Sequence, residues 1–278
     1  MVTSNNRDKY IFEQLIKHYE EAKSLGHEIF AIVVQGSQNY NLDVYSDKYK
    51  SDIDTKCIVL PTLEDFVLNK QAISYTHERE NKEHIDMKDI RLMFDTFKKQ
   101  NVNFVEILFS DYYIVPDKYV DYWDELRNLA EDIVHAHPSQ TVKTMAGMSM
   151  EKYKALKHPY PTISWKIDKW GYDGKQLHHI IRINDFIQQY VSGKPFKECL
   201  IPSNDEVKYM LYKAKLNEYS LDEAEYYAKH CDTMTNDIKR KFIEDNGENI
   251  VNPSAYHKLD NIKYRVIKDH FKRELLLK

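Results

Sequence analysis

Glycine is scarce in this chain, seven among 278 residues, and so little of it beside 21 tyrosines points to a helix-rich protein. The three cysteines, Cys57, Cys199 and Cys231, are odd in number and widely spaced. They offer neither a disulfide framework nor a zinc pattern, and free cytosolic thiols are the plain reading. No apolar run approaches the length that spans a bilayer, and the first 30 residues hold no apolar core of a signal peptide. We therefore expect a cytoplasmic protein with no membrane partner. An excess of positive charge is missing too: the net charge is −4, which argues against binding nucleic acid by bulk electrostatics and leaves only a local basic patch open. Internal repeats and low-complexity tracts are absent.

What is present is an ordinary composition, 42% hydrophobic and 30% charged, in a chain long enough for two units. The organising stretch runs from Ile29 to Pro61. Glu28 to Gln35 is rich in β-branched and aromatic residues and reads as a strand that Gly36 stops. Gly36-Ser37 offers backbone amides and a hydroxyl, groups that hold phosphate oxygens. Asp52 and Asp54 follow, and a strand from Ser51 to Leu60 would point both carboxylates to one face while Ile53 enters the core. Two acids on one face repel unless a cation lies between them, and oxygen ligands at this spacing suit Mg²⁺ together with substrate phosphates. The plainer alternative is a polar turn with solvated acids.

Gly36-Ser37, followed after a loop by Ser51-Asp52-Ile53-Asp54, resembles the signature of the DNA polymerase β-like nucleotidyltransferase superfamily. Within it, the resemblance is to the predicted nucleotidyltransferases of bacteria and phages, which carry a tyrosine three residues after Gly-Ser, here Tyr40. The resemblance implies a third carboxylate on a later strand. Asp86 supplies it, within a segment where His84, Asp86 and Lys88 alternate with Ile85 and Met87; a solvated acid on an edge strand is the alternative. Asp89 directly precedes a helical pattern and reads as an N-cap. Asn101-Val102-Asn103 and the following apolar run with Glu106 resemble the family's Asn-Pro-Asn and helix, with Val102 in place of proline.

Elsewhere the pattern is helical. Lys9 to Leu25 reads as a helix closed by Gly26, and Thr62 to Asp65 as a capping box opening a brief helix. After Pro116 helices dominate, interrupted by an aromatic loop at His158 to Asp173 that reads either as a lid or as two tryptophans packed on the core. From Lys175 to Arg182, a helix places Lys175, His178, His179 and Arg182 on one face and Leu177, Ile180 and Ile181 on the other. The basic face resembles the Lys, His, Arg helix of the family, where such residues face the nucleotide; a solvated face is the alternative. The final segment, His257 to Lys278, carries seven Lys and Arg against three acids over an apolar stripe and reads as a packed amphipathic helix.

Together these readings give an α+β fold, a nucleotidyltransferase-type mixed sheet flanked by helices over residues 1–115, followed by an all-helical domain over 116–278. The resemblance implies a metal-dependent transfer of NMP from an NTP to an acceptor hydroxyl. Asp52, Asp54 and Asp86 would hold two Mg²⁺ ions, with Mn²⁺ as substitute. Gly36, Ser37, Lys175, His179 and Arg182 would bind the nucleotide, which leaves RNA, protein or a small molecule as acceptor. A catalytically silent nucleotide-binding regulator or antitoxin-like partner of the same fold is the second reading, and a structural or interaction protein the third.

Overall fold

Glu28 to Gln35 forms an interior strand of the sheet because its side chains are buried on both faces. The computed structural model describes residues 4–46, 49–248 and 251–276. Its strands are β1 (Glu28–Gln35), β2 (Tyr45–Ser46), β3 (Tyr49–Lys50), β4 (Asp54–Leu60), β5 (Ser74–Glu78), β6 (His84–Asp89) and β7 (Tyr113–Ile114). Five of them make a mixed sheet in the order β5-β6-β4-β1-β7, while β2 and β3 form a separate hairpin. Among the described residues only β4 and β6 run parallel; the other pairs of this sheet are antiparallel. This is the α+β arrangement expected from the sequence, a mixed sheet flanked by helices and a helical stretch after it.

The helix Ser4–Ser24 covers one face of the sheet. Its Ile11, Leu15 and Ala22 pack with Ile32, Val34, Cys57, Val59, Ile85 and Met87, all essentially without exposure. These sheet residues alternate along β1, β4 and β6, so the residues between them share the opposite face. That face carries Gln35, Asp54, Lys56, His84 and Asp86.

Three local expectations hold in detail. Thr62 Oγ1 accepts the Asp65 amide and opens a helix of only five residues, Leu63–Val67. Asp89 caps the helix Ile90–Lys98 through the Arg91 amide, and Gly26 adopts φ +81° just past the first helix. Two others change. The alternating segment from His84 to Lys88 is not a strand by itself but the second arm of a β5–β6 hairpin, its turn stabilised by Arg79–Glu83 backbone pairing with Lys82 at positive φ. The strand expected from Ser51 begins only at Asp54, so Asp52 lies in the segment leading into β4.

The chain divides into two compact units, Met1–Ala136 with Asn252–Lys278, and His137–Val251. Residues 116–136 and 252–278, read from sequence as part of the helical half, thus belong with the sheet. Polar contacts explain the placement of the last helix, Pro253–Leu276: Asp260 pairs with Lys98 at 2.6 Å, Tyr256 donates to the Lys98 carbonyl and Glu274 accepts the Leu63 amide. Buried His270 brings Nε2 within 3.0 Å of the Pro61 carbonyl.

In the second unit the helix Gly174–Val191 is central, packed by Pro138–Ala155, Asp205–Lys215 and Leu221–Asn246. The aromatic segment contains the short helix Ser164–Trp170. Trp165 and Trp170 lean on each other at 5.6 Å, and Trp165 is exposed, so the tryptophans do not fill a core. Among the described residues, no helix is long and apolar enough to cross a membrane.

Candidate functional site

The Gly-Ser bend and the Asp-x-Asp segment meet at the end of the sheet. Gln35, the last residue of β1, pairs with Asp54, the first of β4. Gly36 then turns the chain with φ +87° and ψ −145°, a region that side chains with a Cβ avoid, and Ser37–Tyr40 follows as a 3₁₀ turn. Gln38 is buried and its amide donates to the Asp52 carbonyl at 2.8 Å, tying the bend to the acidic segment. Val34 in turn accepts the Asn39 amide, which fixes the bend on its strand.

Glu106 lies beneath the bend. It is buried, accepts the Gly36 amide at 3.2 Å and also accepts the Tyr40 hydroxyl. The backbone amide of Gly36, which the sequence offered to a phosphate, is therefore directed at a carboxylate. Glycine here supplies the bend, and Tyr40 and Glu106, which the resemblance marks only as pattern, hold it.

A second buried carboxylate fixes the acidic segment. Glu83 accepts the Ile53 amide at 3.2 Å, between Asp52 and Asp54. Its other oxygen meets the His18 ring at 3.0 Å, Arg79 at 3.0 Å and the Asn81 amide at 2.7 Å. The second His18 nitrogen lies 3.0 Å from Thr55 Oγ1. Burial would raise the Glu83 pKa, but the hydrogen bonds from His18, Asn81 and Ile53 outweigh it and hold the carboxyl at about 2.

On the open face, Asp54 Oδ1 accepts the His84 amide at 2.8 Å and faces the His84 ring at 3.3 Å. Asp86 stands on the same face one strand over, level with Lys56 in the parallel register. Its Oδ1 accepts the Thr76 hydroxyl at 2.7 Å, and its Oδ2 meets Lys56 Nζ at 3.2 Å and Gln35 Nε2 at 3.3 Å. Burial pulls the Asp86 pKa up, yet Thr76, Lys56 and Gln35 together bring it below the ordinary value. Lys56 is 3% exposed, and its ammonium lies over the Phe104 ring at 3.9 Å from the centroid. Burial lowers the Lys56 pKa, with Asp86 acting against that shift.

The fit to metal is therefore partial. Asp54 and Asp86 share a face and Asp52 is exposed just ahead of β4. Among the described residues, however, no group of three or more His, Cys, Asp or Glu is arranged to hold an ion. Asp52 and Asp54 are oxygen donors of the kind that a hard cation takes. Asp86 does not fit as the third ligand while Lys56 holds its oxygen.

The basic helix differs most from expectation. Its polar face is not solvated: His178 and Arg182 are buried, His179 is half-buried, and Lys175 alone is exposed. His178 Nδ1 lies 3.0 Å from the Leu211 carbonyl. Burial holds the His178 pKa down at about 3 and that of His179 well below its ordinary value, so both rings are neutral near pH 7. Asp173 caps this helix through the Lys175 amide.

No protein-family model matches the chain, and no curated protein does. Among solved structures, it is similar to a nucleotidyltransferase-like protein from Exiguobacterium sibiricum, with 10% identity, covering 85% of this chain and 77% of the other at a TM-score of 0.30. A likeness that faint adds no argument to the geometry above.

Sequence reasoning did not single out Lys56, Glu83 or His18. Lys56 carried a signal, since it follows Asp54 by two residues and so shares its face. Glu83 and His18 carried none, because they meet across 65 positions of chain.

Proposed function

We propose that this chain is a nucleotidyltransferase that moves an NMP from an NTP to an acceptor hydroxyl. The acceptor oxygen bonds to the α-phosphorus as the bond from that phosphorus to the pyrophosphate oxygen breaks. Pyrophosphate leaves, and the hydroxyl proton passes to a carboxylate of the sheet face. The observation that carries the reading is the convergence of the Gly36-Ser37 bend, Asp52 and Asp54 at one sheet end, with Asp86 on the same face.

In this reading Ser37 and the bend face the NTP phosphates, and Asp52 with Asp54 holds a divalent cation, Mg²⁺ or Mn²⁺. When bound, that cation supplies positive charge against the attacking and leaving oxygens. Glu83 keeps the two acids in register, and Glu106 keeps the bend closed. The acceptor class is an RNA, a protein or a small molecule carrying a hydroxyl.

The Lys56–Asp86 pair favours a second reading, a nucleotide-binding regulator without transfer. Thermal unfolding with each NTP and Mg²⁺ tests both, because a ligand bound at one hundred times its Kd stabilises the folded state by about 2.7 kcal/mol. We expect one or more NTPs to raise the midpoint by roughly 5 °C and pyrophosphate to appear. A raised midpoint without pyrophosphate selects the regulator. No response to any NTP rejects both.

A further inference from the structure

Asp86 stands where a third metal-binding acid would stand, and yet it already has a cation. Lys56 reaches it from the neighbouring strand at the same register level, with Nζ 3.2 Å from Oδ2. Three features hold the lysine there. It lies on β4 between β1 and β6, its side chain is almost wholly buried, and its ammonium is seated over the Phe104 ring. Lys88 lies over the same ring at 4.7 Å, so the surroundings of Asp86 are rich in positive charge. A divalent ion at Asp86 would have to displace Lys56 or sit beside it, against electrostatic repulsion in a partly dry site.

We propose that Lys56 is the resident cation of this acidic face, standing in place of a second divalent ion, so that the chain takes one divalent ion at Asp52 and Asp54. The inference rests on the nucleotidyltransferase reading and departs from the two-ion arrangement that the sequence resemblance implies. Asp86 is then a positioning residue: it fixes the Lys56 ammonium within the acidic face, where that charge occupies the place of a second metal.

The test counts ions. Mn²⁺ binding to the full chain is followed by electron paramagnetic resonance and equilibrium dialysis, with α,β-methylene analogues of each NTP present. Wild type is expected to bind one Mn²⁺ per chain. Asp86→Asn should keep that ion with affinity within about twofold, whereas Asp54→Asn should lose it. Lys56→Met, similar in length and uncharged, should admit a second ion; thermal melts report whether it folds, and the Asp86→Asn result decides the matter if it does not. Two ions in wild type, one of them lost in Asp86→Asn, overturns the inference and leaves the nucleotidyltransferase reading intact. No ion in wild type overturns both.

Discussion

Glu83 shows how a single residue sets the geometry of the acidic segment. One of its oxygens holds the backbone between Asp52 and Asp54, and the other gathers His18, Arg79 and Asn81. Its folded pKa is about 2 against an ordinary 4.5, so it is a depressed carboxylate. The sign follows: the unfolded chain takes up a proton near pH 4.5 while the folded chain does not, so this stabilisation is complete above that pH. It is lost as pH falls toward 2, and is worth at most about 3 kcal/mol. Glu83→Gln should lower stability at pH 7 and flatten its pH dependence between 4.5 and 2, as measured by urea unfolding across that range. An unchanged acid profile would show that Glu83 is not the group responsible. Glu106 invites the same reasoning at the bend. Glu106→Gln turns an amide N–H₂ toward the Gly36 amide or the Tyr40 hydroxyl and should cost roughly 1–3 kcal/mol.

Among the elements, those whose causes are local were legible in the sequence. The caps of Thr62 and Asp89 act over two or three residues, and β1 and β4 are apolar runs bounded by Gly36 and Pro61. The β5–β6 hairpin was hidden because its turn, Arg79 to Glu83, is charged and lacks glycine; Lys82 takes the positive φ instead. The helix Gly174–Val191 was misjudged for a related reason. Its polar face read as nucleotide-facing or solvated, but His178 finds the Leu211 carbonyl and Asn184 finds Cys231 and Thr235 inside the second unit. Burial of polar groups with long-range partners has no signature in a local window. Gly174 offers the sharpest check on that packing. A Cβ there would lie 2.1 Å from the Ala214 carbonyl oxygen and 2.3 Å from Asn217 Oδ1, so the helices 174–191 and 205–215 must separate to admit it. Gly174→Ala should cost roughly 1–3 kcal/mol or more, read as a lowered melting temperature. Wild-type stability would mean that these helices are not in this close contact.

For the molecule as a whole, the sequence outlined a sheet-bearing part and a helical part, but the boundary at 115 did not mark where the compact units divide. The chain leaves the sheet unit at Ala136 and returns to it at Asn252, because the last helix finds its partners at Lys98, Pro61 and Leu63. A chain that leaves and returns is invisible to a linear reading, as is Lys56 neutralising an acid 30 positions away. What composition, spacing and resemblance did convey was the Gly-Ser bend and the Asp52–Asp54 segment, which the structure brings together at one end of the sheet, and the proposed function depends on that meeting. The most direct measurement is transfer of label from each α-labelled NTP, with Mg²⁺, into the RNA, protein or small molecules of a cell lysate. Wild type is compared with a folded Asp52→Asn, Asp54→Asn double variant. The account predicts labelled product and released pyrophosphate with wild type and a loss of at least about a hundredfold in the double variant, since it assigns both acids to the cation. Equal labelling by the two proteins, or none by wild type with any NTP, would contradict it.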